Sequence, residues 1–246
     1  MLDNQKSKYL HVYTRVNPVE RFSFLERYRN DVLEVARECS ALTNPSVIPP
    51  SGHEPGARLT SPEQSHGSRL VSNMANNLLL VLFPPGLPFF KLDLREVDVK
   101  NMAKTMALPN GQDMYAAMRT SFVNIENECA QQFDLLKYRD KVALILQQLI
   151  IGGSSCYLTL ADTIDLIPLE DWVCVRSKSG DILEGIYREL TNLGEVEYVR
   201  AFHYGNQKNW TVDRYREDGT LVDTADFSKL PIHFPVWDLA AGEDYG

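Results

Sequence analysis

Residues 138–160, YRDKVALILQQLIIGGSSCYLTL, hold an abrupt change of period. Val142, Ile145, Leu146 and Leu149 recur at helical spacing from about Tyr138 to Ile151. Gly152-Gly153 then supplies the glycine stop that ends many helices. From Cys156 onward the chain reads as short strands separated by turn residues. The expectation is an α+β arrangement: residues 1–16 an arm, 17–153 a helical part and 154–246 a β-rich part.

Upstream, Asn17 is a good N-cap, Pro18 suits the first helical position, and Glu20 can complete a capping arrangement. Leu25, Tyr28, Val32, Val35, Ala36 and Cys39 follow at helical spacing, which predicts one helix with these as its inner stripe. It should end near Leu42, because Asn44 precedes Pro45 and is pushed out of the helical region. Residues Met1–Val16 show no clear period and are expected to order only if something packs on them. Pro45–Gln64 holds five prolines and two glycines and reads as a long loop, a kind of segment that often contacts partners.

A second helix is predicted from about Ser65 to Leu82, burying Leu70, Val71, Met74, Ala75, Leu78, Leu79 and Leu82 until Pro84 and Pro85 stop it. The segment Phe83–Phe90 is aromatic and stiff, and must pack on its own core or on a neighbour. A third helix opens after Asn110-Gly111 and carries Met114, Met118, Phe122 and Ile125. Whether a break near Phe133–Leu136 parts it from the next helix stays open on pattern alone. Downstream strands are predicted at Cys156–Leu160, Trp172–Arg176, Ile182–Arg188, Val196–Tyr204 and Asn209–Tyr215. Turns fall at Ser179-Gly180-Asp181, Gly205-Asn206 and Asp218-Gly219. Ile232–Asp238 contains Pro235 and should be an edge or irregular.

Several chemistries lack their residues. The 246-residue chain is 44% apolar, enough for a core, yet no run reaches the eighteen apolar residues of a membrane span. The polar N-terminus lacks the apolar core of a signal peptide. Cys39, Cys129, Cys156 and Cys174 lie far apart, as reduced thiols do. A formal charge of −8 argues against a tight grip on a phosphate backbone, though not against loose guidance of DNA. There is no Walker loop, no dinucleotide fingerprint and no nucleophile elbow.

Gly152-Gly153-Ser154-Ser155-Cys156 superficially resembles a nucleophile loop, but it runs from helix to strand and reads better as a helix stop. His11, His53, His66, His203 and His233 include no pair at metal-ligand spacing. Glu170-Asp171 reads as a solvated turn, while Asp162 and Asp165 could hold a cation only with further acids at fixed intervals. Lys137, Arg139 and Lys141 are offset by Asp134 and Asp140 and read as a solvated helix face. No catalytic residue, metal ligand or cofactor is therefore expected.

Four segments in order carry a resemblance: Pro45-Ser46-Val47-Ile48-Pro49 after the first helix; Gly67-Ser68-Arg69 opening a helix that ends Leu82-Phe83-Pro84; Tyr138-Arg139 leading to Gly152-Gly153; and Gly242-Glu243-Asp244-Tyr245-Gly246. Together, over roughly Arg21 to Gly246, the chain resembles the portal (head-to-tail connector) proteins of T7-like podophages. The resemblance implies a structural subunit and no enzyme: the outer wing portion of a dodecameric ring in the virion, at one capsid vertex. The family's stem, clip and crown would lie beyond Gly246, as would most DNA-contacting residues. Double-stranded DNA would pass through the ring during packaging and ejection. Partners would be copies of the chain, capsid protein, tail adaptor, terminase motor and internal core proteins, with no direct membrane binding.

Candidate interface residues are Pro49, His53, Arg58, Arg69, Phe83, Phe89 and Phe90. Two other readings stand beside this one. The first is a metal-dependent hydrolase or nuclease with an irregular acidic site around Asp162, Asp165, Glu170 and Asp171. The second is a smaller viral adaptor module.

Overall fold

The computed structural model describes residues 17–54, 56–62, 64–93, 114–159, 163–176, 180–191, 194–202, 210–230 and 232–233. The arm at 1–16, the helix opening at Asn110-Gly111, the Gly205-Asn206 turn, Asp162, His11, His203, Pro235 and the terminal Gly242–Gly246 lie outside the described residues. Helices α1 (Pro18–Arg27), α2 (Asn30–Leu42), α3 (His66–Leu82), α4 (Met114–Leu135) and α5 (Tyr138–Gly152) come first. Strands β1 (Cys156–Thr159), β2 (Ile164–Ile167), β3 (Trp172–Arg176), β4 (Ile182–Leu190), β5 (Val196–Phe202), β6 (Trp210–Arg216), β7 (Leu221–Phe227) and β8 (Ile232–His233) follow. The fold is α+β, with a helical first half and a strand-rich second half. The chain divides into two compact units, one of Met1–Asn73 with Leu144–Gly246, the other of Met74–Ala143.

The first unit is built on a five-stranded antiparallel meander in the order β3-β4-β5-β6-β7, beside a small sheet in the order β2-β1-β8. Successive side chains of a strand face opposite ways, and the meander uses both faces. Val173, Ile186 and Tyr198 pack with Phe22 of α1, whose ring meets Tyr198 edge-on at 5.6 Å. Trp172, Tyr187, Val199 and Ala201, on the alternate positions, join Leu33 and Ala36 of α2, Ile48, Ile151 and the small sheet.

This two-faced packing explains the first correction. The single predicted helix is two, broken at Tyr28-Arg29, because α1 lies on one face of the sheet and α2 on the other. The chain passes the outer edge at β3, where Arg29 donates to the Trp172 carbonyl and lays its guanidinium 3.9 Å from the indole centroid. Burial lowers the pKa of that guanidinium. Asn17 caps α1 as expected, accepting from the Val19 amide at 3.0 Å.

Strands β3 to β6 fall where predicted to within a few residues. Two strands have no counterpart in the sequence reading. Strand β2 is only four residues long and includes Asp165. Strand β7, Leu-Val-Asp-Thr-Ala-Asp-Phe, is exposed at all but Ala225 and is held by its ladder with β6, so it shows no apolar alternation. Strand β8 is an edge, as Pro235 led us to expect of this segment.

In the second unit, α4 ends at Leu135 and α5 opens at Tyr138, which answers the question of a break: Lys137 takes the left-handed conformation at φ 55°. Arg139 is not a solvated face residue. It donates to the Phe83 carbonyl, to the Pro84 carbonyl at 3.0 Å and to Asp134 at 2.6 Å, closing the carbonyl end of α3.

Candidate interaction surfaces

The helix stop at Gly152-Gly153 is a packing device. Gly153 takes φ 69° and donates to the Leu149 carbonyl at 2.9 Å. A Cβ on Gly152 would sit 3.0 Å from a Leu169 methyl and 3.2 Å from an Ile48 methyl, so glycine lets the helix end pack close to both. Ser155 and Cys156 are fully buried behind it. The Ser155 hydroxyl donates to Gln148 at 3.0 Å, and burial drives the Cys156 thiol well above its ordinary pKa, away from a nucleophilic thiolate. Gln148, which the periodicity did not single out, is buried to serve this contact and to reach the Ile167 carbonyl at 3.4 Å.

The acids are engaged by arginines. Glu170 accepts from Arg37 and Asp171 from Arg188, each at 2.6 Å, so the pair is no solvated turn but a clasp on the 3-10 turn Leu169–Asp171. Burial raises the Asp171 carboxyl, and the Arg188 bond pulls against that rise. Among the described residues no group of three His, Cys, Asp or Glu side chains could hold a metal ion. Inside the sheet, Glu184 accepts from Arg200 at 2.6 Å and from Arg21 of α1 at 3.2 Å, with Glu184 and Arg200 both buried.

Of the predicted interface residues, three come together. Phe83 stacks on Phe133 at 4.9 Å and meets Phe89 at 5.0 Å, while Phe90 abuts Phe89 at 5.2 Å. They pack within their own unit, yet one side stays open: Phe89, Phe90, Ile125, Cys129, Leu136 and Tyr138 line an apolar groove of about 510 Å³. Of the apolar residues read along this helix, Ile125 is exposed, and the inward side of α4 runs through Met118, Phe122, Glu126 and Ala130. Glu126 accepts from the Leu92 amide, which accounts for a carboxylate in that row.

Pro49, His53, Arg58 and Arg69 lie in the first unit, in the long loop and at the start of α3. Val47 and Ile48 anchor the loop to the core. Beyond them Arg58 and Arg69 point to solvent, and Pro49 and His53 are half-buried.

Another exposed set is one that sequence reasoning took for core. Tyr28, Val32, Val35 and Cys39 were expected inside, but Tyr28 is 74% and Val35 59% exposed. Val32, Val35, Cys39 and Leu42 recur at helical spacing on the outward side of α2, while Tyr28 at the break meets the exposed Phe24 of α1 edge-on at 5.3 Å. The inward positions are Phe22, Leu33, Ala36 and Ser40. These four keep one helical spacing across the break at Tyr28-Arg29, so the segment carries two rows and the sequence reading picked the outward one, sharing with the inner row only Ala36. Leu70 and Met74, expected inside α3, are exposed too.

The chain belongs to the bacteriophage head to tail connecting protein family, whose model matches residues 19–193. It is similar to the portal protein of Enterobacteria phage SP6, 23% identical over 92% of this chain and 47% of that protein. It is also similar to the portal proteins of Enterobacteria phage T3, 26% identical over 68% of this chain and 31% of that protein, and of Pseudomonas phage phiKMV, 25% identical over 74% and 40%. The chain thus spans less than half the length of these relatives. No helix among the described residues is long and apolar enough to cross a membrane.

Proposed function

We propose that this chain is the wing portion of a portal subunit, a structural element of a closed, dodecameric ring at one capsid vertex of the virion. Residues 17–153 supply its helical part and 154–246 its β-rich part. Family membership over residues 19–193 is the observation that carries the reading. The exposed apolar side chains Val32, Val35 and Leu42 of α2, with Phe24 and Tyr28 before it, support it, since a subunit that meets copies of itself around a ring keeps apolar surface on its outside. The open side of the Phe83, Phe89 and Phe90 cluster is a second contact, and Pro49, His53, Arg58 and Arg69 a polar one. Double-stranded DNA passes through the ring without sequence-specific binding, in keeping with the formal charge of −8. Capsid protein, tail adaptor, terminase motor and internal core proteins dock on the assembly. The role is structural, without turnover of a substrate.

Electron microscopy and native mass measurement on the full-length gene product test the reading. Rings that join capsids are expected. A strict monomer that never enters a capsid overturns it.

A further inference from the structure

Strand β7 closes one side of the five-stranded sheet, and among the described residues no strand pairs with its outer side. Such an edge offers backbone donors and acceptors to any extended chain that reaches it. Its composition adds to the hazard, since Leu221, Val222 and Phe227 are all exposed. A second copy of the same strand is the partner nearest to hand wherever copies of the chain gather.

Three features work against that pairing. The first is a cap: the amide of Thr224, in the middle of the strand, donates to the carboxylate of Asp223 at 2.8 Å. That donor is engaged within its own strand. Thr224 is also held from the ladder side. Its hydroxyl donates to Asp213 of β6 at 2.9 Å, and the buried Asp213 accepts from the Tyr215 hydroxyl at 3.1 Å as well. The second is a shift in the ladder between the pairs Arg214–Asp223 and Tyr215–Leu221, which leaves Val222 as an extra residue in β7. A bulge of this kind bends the strand and spoils the regular spacing that an added strand needs. The third is charge. Asp223 and Asp226 lie on β7, Glu217 and Asp218 lead into it, and no cation falls between 217 and 227. Two such edges laid together bring carboxylates alongside one another. Asp223 takes part in all three, since it covers the amide, borders the bulge and carries a charge.

We propose that Asp223 guards the β7 edge: by holding the Thr224 amide it keeps the sheet of one chain from continuing into the sheet of a second copy. Copies can then meet through other surfaces without their strands joining. The inference concerns the single chain and does not depend on the ring.

Asp223→Val and Asp223→Asn, each in the full chain, separate the cap from the charge. Valine removes both, whereas asparagine removes the charge and keeps a side-chain carbonyl that can accept from Thr224. Amide hydrogen exchange of residues 221–227 at low and high protein concentration reads pairing at this edge, apart from association made elsewhere. In Asp223→Val that exchange should slow by about tenfold or more as concentration rises, and in the wild-type and Asp223→Asn chains it should not change. An Asp223→Val chain whose 221–227 exchange ignores concentration overturns the proposal. So does an Asp223→Asn or wild-type chain that responds as the valine variant does. Should Asp223→Val fail to fold, Asp223→Ala removes the same carboxylate without added bulk and is read in the same way.

Discussion

The two units solve the burial problem differently. In the first, a sheet carries apolar residues on both faces, and each face receives helices: Phe22 on one side, Leu33, Ala36 and Ile151 on the other. In the second, the buried residues among those described are Ala75, Ala130 and Glu126, and the large apolar side chains are half-buried or exposed. Its order comes from a stack of rings and from one arginine at the end of α3. A sheet covered on both faces is a core in its own right. A ring stack with an open side is better suited to finishing itself against something else.

The sharpest test of that contrast is Glu184→Ala in the first unit. It removes the carboxylate that accepts from the buried Arg200 guanidinium and from Arg21, and should cost about 3 kcal/mol in urea denaturation followed by tryptophan fluorescence. Phe133→Ala in the second unit removes contacts with Phe83, Phe89 and Tyr138 but leaves a site already open on one side. A loss of about 1–3 kcal/mol is expected, read by local hydrogen exchange of α4. A loss as large as that of Glu184→Ala would remove the distinction between the units.

Asn17→Ala deletes the cap of α1 and should cost about 1 kcal/mol in the same denaturation assay. Replacing Tyr28, Val32 and Val35 by serine should change stability by only about 0.5 kcal/mol per site, because these side chains face water in the single chain. Ring formation, measured by native mass on the full-length product, should nonetheless fall sharply. The smallest effect belongs to His233, stacked on Tyr157 at 4.9 Å at the edge of the small sheet. Burial lowers its pKa below the ordinary 6.5, so the unfolded chain binds the proton more readily. Stability from this group is present above that range and is lost as pH falls through the folded pKa. His233→Gln should flatten the pH dependence of melting just below pH 6.5, the ordinary histidine value.

Much of the helix and strand order was legible from local signals. Asn17-Pro18 opened a helix, Pro84-Pro85 and Gly152-Gly153 closed two, and β3 to β6 stood out between turn residues. The interaction surfaces were only half legible. The Phe83–Phe90 segment announced itself by composition, and the open side of its groove did not. The row along α2 was visible as a period and assigned to the wrong side. Arg139 and the pair Glu170-Asp171 look like surface charge in sequence, since their partners lie up to 133 residues away.

Caps, glycine stops and spacing act within a few residues, so the amino acids alone set the passage from helices to strands near Gly153. Which apolar side chains would be hidden was settled in three dimensions. The first helical segment had to turn around the β3 edge to cover both faces of one sheet, and α2 met its face through Leu33 and Ala36, leaving Val32 and Val35 outside. A periodicity records that a helix has an apolar side. It does not record which neighbour that side will meet.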